Sequence, residues 1–128
     1  MQRRFSKHYT REEAQALLPE VRIWLERLSA ERSRMGRLEK QINQWLGDGR
    51  DVGGKSVNDW IRAIAGLRRV LLEFQRREIQ LKDLERGLVD FPSIIGGREV
   101  FLCWEQDEEE IEHWHDLESG YAGRERLE

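Results

Sequence analysis

A seven-residue apolar repeat near the N-terminus constrains the fold most. Ala14, Val21, Leu28, Met35 and Ile42 occupy one position of the repeat, and Leu17, Trp24, Leu38 and Trp45 the other. Glu31 is the one interruption. A period of 3.5 residues puts all of these side chains on one stripe of a helix, which must be covered by a second helix. The start of that helix is equally legible. Thr10 is followed three residues later by Glu13, the reciprocal capping pattern in which each side chain satisfies the other residue's free backbone N–H. Helix 1 is therefore expected over residues 10–46, with a bend or a weak early turn at Pro19, which lacks an N–H.

The second helix follows a turn-rich stretch, Gly47 to Lys55, that reads as the reversal. Ser56 or Asn58 caps it, and Val57, Trp60, Ile64, Leu67, Leu71, Phe74 and Leu81 continue the seam, with Glu78 breaking it. Helix 2 is expected over residues 56–85. Two long helices joined by a short loop pack antiparallel. From Gly87 the period changes to two. Residues 88–104 read as a β-hairpin turning at Gly96-Gly97, with Phe91 opposite Leu102 and Val89 opposite Trp104 on the face turned to the helices. The other face carries Asp90, Pro92, Phe101, Cys103 and Glu105. Pro92 suggests that the first strand lies at an edge. Residues 105–128 form an acidic tail with two histidines, in which Ile111, His113 and His115 alternate as in a short third strand. The expected fold is α+β and mostly helical: a long antiparallel, coiled-coil-like two-helix hairpin with a small antiparallel β element in the C-terminal part of one domain.

Composition sharpens the picture. Of the 128 residues 37% are charged and 38% apolar, which suits an elongated shape with much exposed surface. Residues 1–86 carry 19 Lys/Arg against 13 Asp/Glu, whereas residues 87–128 carry 3 against 12. One part is basic and the other acidic, a pattern that favours self-association or an anionic partner. A single cysteine, Cys103, excludes an internal disulfide and fits a reducing compartment. No signal-like or membrane-spanning stretch is present, so the expectation is a soluble cytoplasmic protein with no membrane partner.

The segments LKDLERGLVDFP (Leu81–Pro92), GREVFLCW (Gly97–Trp104) and HWHDLESGYAGR (His113–Arg124), with the opening YTREEAQALLP (Tyr9–Pro19), are similar to a bacterial family, domain-of-unknown-function family 2203. The resemblance covers nearly the whole chain. It implies an intracellular bacterial domain with two long helices and a small β element, and no established activity.

Three functional classes remain. The leading expectation is a non-catalytic interaction module that self-associates or takes a helical protein partner. The alternative is a metal-binding module or metal-dependent enzyme. In a strand His113 and His115 project from one face, and a carboxylate from Asp90 or Glu118 completes a site for a divalent transition metal. Glu110 and Asp116 are further carboxylates in reach along the chain. Arg124, after Gly120–Gly123, is a candidate anion-binding residue. Against these readings stand blander ones: a solvated His pair, an edge-strand aspartate at Asp90 that prevents aggregation, a loop around Arg124, and Cys103 as a small core filler. The third class is a nucleic-acid binder using Arg27, Arg32, Arg34, Arg37, Arg62, Arg68, Arg69, Arg76 and Arg77, although such charges usually form the solvated back of a hairpin. No phosphate-binding glycine loop, nucleophile elbow or paired-histidine zinc motif is present, and no catalytic residue is assigned.

Overall fold

A computed structural model describes residues 2–49 and 54–128. The first helix, α1, runs Arg11–Gly47 without interruption through Pro19, and the second, α2, runs Gly54–Arg76. Both halves of the Thr10–Glu13 capping box are formed, with Glu13 N–H donating to Thr10 Oγ1 at 3.1 Å and Thr10 N–H to Glu13 Oε1 at 2.9 Å. The helices are antiparallel. Trp24 meets Phe74 edge-on at 5.3 Å, and one helical stretch further out the Glu31 carboxyl packs against Gly66. Much of the expected Gly-rich loop lies outside the described residues. Helix α2 begins at Gly54, so neither Ser56 nor Asn58 is its cap.

Burial along the hairpin is uneven. In α1 the buried residues are Ala14, Leu18, Val21, Trp24, Leu25 and Leu28, all in the half that faces the sheet. Beyond Ser29 the seam residues Met35, Leu38, Ile42 and Trp45 are only half-buried. Two helices alone cannot enclose a stripe that wide, and the sheet does not extend this far.

The end of α2 corrects the sequence reading. Residues 77–85 are not helical. Glu78 adopts a left-handed conformation (φ 57°), its N–H bonds Gln75 O at 3.1 Å, and Ile79 N–H bonds Phe74 O at 3.1 Å. These are the two reversed bonds of a Schellman stop, with Ile79 folding back into the core beside Phe74. A glutamate usually avoids this conformation. Here its carboxylate accepts backbone N–H groups from Ser6 and Lys7 at 3.1 Å, which fixes the N-terminal segment in return. Leu81 therefore belongs to a strand and not to the helical seam.

Five strands follow in an antiparallel meander: β1 Gln80–Asp83, β2 Leu88–Ile95, β3 Arg98–Glu105, β4 His113–Asp116 and β5 Glu125–Arg126, in that spatial order. The β2–β3 hairpin has the expected register, with Ile95 opposite Arg98, Phe91 opposite Leu102 and Val89 opposite Trp104. Gly96 and Gly97 both take positive φ (58° and 78°), which a tight turn between twisted strands requires. Strand β2 is interior rather than an edge. Pro92 is tolerated because β1 pairs only with residues 88–90 of β2. Beyond that point the open side of β2 is met by the N-terminal segment, whose Tyr9 N–H donates to Pro92 O at 2.7 Å.

One face of the sheet packs on the helices through Val89, Phe91, Leu102 and Trp104, joined to Leu18, Val21, Leu25 and Leu28. Each large side chain so buried contributes roughly 2–3 kcal/mol. The acidic run is tied down over the same core. Arg22 donates to the Gln106 and Glu108 carbonyls at 2.7 and 2.9 Å, and its guanidinium lies 4.8 Å from the Trp104 ring. The opposite face is covered too, which the sequence did not predict. Phe5 of the N-terminal segment packs on Phe101 at 5.4 Å, and Glu99 accepts backbone N–H groups from Arg4 and Phe5 at 2.8 and 2.9 Å. Asp90, Pro92, Phe101, Cys103 and His115 are all buried there. Among the described residues no helix is long and apolar enough to cross a membrane.

Candidate metal centre

The buried outer face of the sheet holds a polar cluster. Strand pairing builds it. Asp90 on β2 lies directly opposite Cys103 on β3, Cys103 lies opposite His113 on β4, and His115 follows two residues along β4 on the same face. One ligand-capable atom from each of Asp90, Cys103 and His115 falls within 4.8 Å of the other two. Cys103 is fully buried, and Asp90 and His115 are each 2% exposed.

The imidazole is held at both nitrogens. His115 Nδ1 is 2.7 Å from the backbone oxygen of Asp116, and Nε2 is 2.9 Å from Asp90 Oδ2. Burial by itself pushes the His115 imidazolium pKa down. The Asp90 carboxylate, the Cys103 side chain and the Asp116 carbonyl outweigh it and raise the value to about 10. Metal-free, the pair is thus an imidazolium–carboxylate contact inside the protein, with both ring nitrogens donating. The second carboxylate oxygen, Asp90 Oδ1, is buried without a hydrogen-bond partner. A buried carboxylate oxygen left unpaired is costly, and water or an ion is among the partners that satisfy such an atom.

A cleft of about 360 Å³ opens above the cluster. Asp90 and His115 reach its floor, Leu88, Phe101, Leu117 and Tyr121 form its walls, and Lys82 and Glu118 stand at its rim.

The structure separates the residues singled out from sequence. Asp90 and His115 come together. His113 shares their face of the sheet but turns to the acidic loop, where Nδ1 lies 3.4 Å from Glu108 Oε2 without hydrogen-bond alignment. Glu118 is exposed and bonded to Arg4 at 2.8 Å, lining the cleft without joining the cluster. Arg124 is engaged internally, 3.2 Å from both carboxylate oxygens of Glu108 and stacked 4.3 Å from the Tyr121 ring. Its charge is paired with Glu108 where it sits. Asp116 is exposed and paired with Arg98. The residue that sequence reasoning passed over is Cys103. The signal was present: the hairpin register alone sets Cys103 opposite Asp90.

The fold and cluster define a class: an α+β protein in which a helical hairpin packs on one face of an antiparallel meander and a buried Asp–Cys–His group lies on the other. The family model described as an uncharacterized conserved protein (DUF2203) matches residues 7–127, and the chain belongs to that family. Comparison with curated proteins and with solved structures finds no match.

Proposed function

We propose that the protein binds a divalent transition metal ion, of which zinc is the best fit, through Asp90, Cys103 and His115. The observation that carries this reading is the convergence of a thiol, an imidazole and a carboxylate within 4.8 Å on buried residues, where Asp90 Oδ1 also has no hydrogen-bond partner. Thiolate, imidazole and carboxylate together select zinc-like ions over magnesium or calcium. Ligand atoms around a tetrahedral zinc ion stand roughly 3.5 Å apart, so small side-chain rotations close the set. The hydrogen bond from His115 Nδ1 to the Asp116 carbonyl is the outer contact that metal-ligating histidines generally make, and it leaves Nε2 free to ligate once its proton is displaced. Three protein ligands leave a fourth position of a tetrahedral ion for another group, and two of them, Asp90 and His115, line the cleft.

Cobalt(II) titration of protein first stripped with chelator tests the reading. One ion per chain is expected, with a thiolate-to-cobalt charge-transfer band. Cys103→Ser removes the band and weakens binding at least about tenfold, as loss of a first ligand should. His113→Gln and Glu118→Gln bind cobalt like the wild type. No binding by the folded wild-type protein, or an intact band in Cys103→Ser, overturns the reading.

A second reading, self-association or capture of a helical partner, is favoured by a different observation. Leu46 and Ile61, in the half of the hairpin that the sheet does not cover, are 60% and 52% exposed. Leu46 continues the half-buried Ile42 and Trp45 along α1, and Ile61 adds a separate apolar side chain on α2, surface that a second copy of the hairpin could bury. Light scattering across a concentration series, with the Leu46→Asp/Ile61→Asp variant as control, tests it. A strict monomer at high concentration refutes the second-copy form.

A further inference from the structure

We infer that the cleft above the Asp90–Cys103–His115 cluster binds a small carboxylate monoanion with a short apolar body, its carboxylate reaching the open metal position beneath Lys82. The inference rests on the metal-binding reading and goes beyond it by naming what the open position takes.

Size, wall chemistry and charge each support it. At about 360 Å³ the cleft lies at the small end of ligand sites and excludes large cofactors. Leu88, Phe101, Leu117 and the Tyr121 ring give its wall an apolar part, beside the polar Lys82, Asp90, His115 and Glu118, which suits a small ligand with one short hydrocarbon or aromatic end. Its charge balance selects the head group. Glu118 at the rim is neutralised by Arg4 at 2.8 Å. A divalent ion held by the Asp90 carboxylate, the Cys103 thiolate and a neutral His115 carries no net charge. What remains is Lys82, whose ammonium lies 5.2 Å from the Phe101 ring and pairs with no carboxylate among the described residues. Phe101 in turn packs on His115 at 5.5 Å, so the ammonium is held over the mouth of the cluster by the ring face. The loaded site therefore offers one open coordination position and one uncompensated positive charge. A monoanion neutralises it. A phosphate dianion leaves an excess negative charge beside two anionic ligands whose side chains are buried, and that is unfavourable.

The test uses the cobalt-loaded full chain, with benzoate as probe and butyrate and inorganic phosphate for comparison. Benzoate is expected to shift the cobalt d–d bands saturably, with butyrate following and phosphate binding at least about tenfold more weakly. In cobalt-saturated Lys82→Met the benzoate Kd rises about threefold, the loss expected for one charge contact at an exposed residue. Cobalt bands that do not move with benzoate refute the inference while leaving the metal reading intact. So does equal benzoate affinity in Lys82→Met, or phosphate binding as tightly as benzoate. Failure of cobalt to bind at all overturns both.

Discussion

Replacing Asp90 by asparagine tests how the buried cluster holds the sheet together without metal. The change keeps the shape of the side chain and removes its charge. In the wild type the Asp90 carboxylate and the His115 imidazolium meet at 2.9 Å, each 2% exposed. With so little of either side chain exposed, water screens the contact weakly. Removing one member of such a pair costs about 3–5 kcal/mol, because the other charge stays buried alone or must be neutralised. Total stability for a domain of this size is roughly 5–15 kcal/mol, so the loss takes a large share of it. Equilibrium urea unfolding of chelator-treated protein measures the effect as a lower midpoint at unchanged slope. His115→Gln alone should cost a similar amount. The double variant should cost much less than the sum, since neither partner is then left charged and buried. A loss below about 1 kcal/mol for Asp90→Asn, or additive losses in the double variant, refutes the reasoning, since such small or independent effects belong to exposed pairs.

Other perturbations probe separate parts of the argument. Burial alone would raise the Glu99 carboxyl, but His8 and the Arg4 and Phe5 N–H groups outweigh it and hold its pKa at about 2. Because the folded value is depressed, this contribution is full above the unfolded carboxyl pKa and is lost as pH falls toward 2. Acid titration followed by circular dichroism should show Glu99→Gln destabilised at neutral pH but less sensitive than the wild type below the ordinary carboxylate range. Thr10→Ala removes the cap of α1 and should cost about 1 kcal/mol in urea unfolding. Leu28→Ala, in the fully buried part of the seam, should cost about 2–5 kcal/mol, whereas Ile42→Ala, half-buried in the outer hairpin, should cost less than about 1.5 kcal/mol. Equal losses at the two sites would mean that the outer hairpin is buried in an assembly. Gly97→Val puts a β-branched residue at φ 78° and should destabilise the β2–β3 turn by at least about 1 kcal/mol.

Much of the fold was legible because it is written in local periodicity. The helical period of α1, the Thr10–Glu13 box and the alternation around Gly96-Gly97 each depend on neighbours a few residues away; the box and the hairpin register appear as expected, and the helix forms although only the inner half of its heptad stripe is buried. The end of α2 was not legible. Leu81 continues the helical period, and nothing at Glu78 resembles the glycine that usually marks such a stop. The left-handed turn there is stabilised by Ser6 and Lys7, about seventy residues earlier, so the signal is tertiary. The same holds for the second cover of the sheet. Strand alternation told which residues face away from the helices, but not that Phe5 and the loop after β4 would bury them.

The candidate site divides along that line. Sequence alone determined that Asp90 and Cys103 share a face, that His113 and His115 share one, and that a hairpin of helices backs the sheet, because strand and helix periods fix which way side chains point. Only the tertiary structure decided that β4 pairs beside β3, bringing His115 and not His113 to Asp90, and that the residues of this face are buried. Whether a carboxylate, a thiol and an imidazole are solvated surface groups or a buried cluster depends on which distant segments lie over them, and no local pattern carries that information.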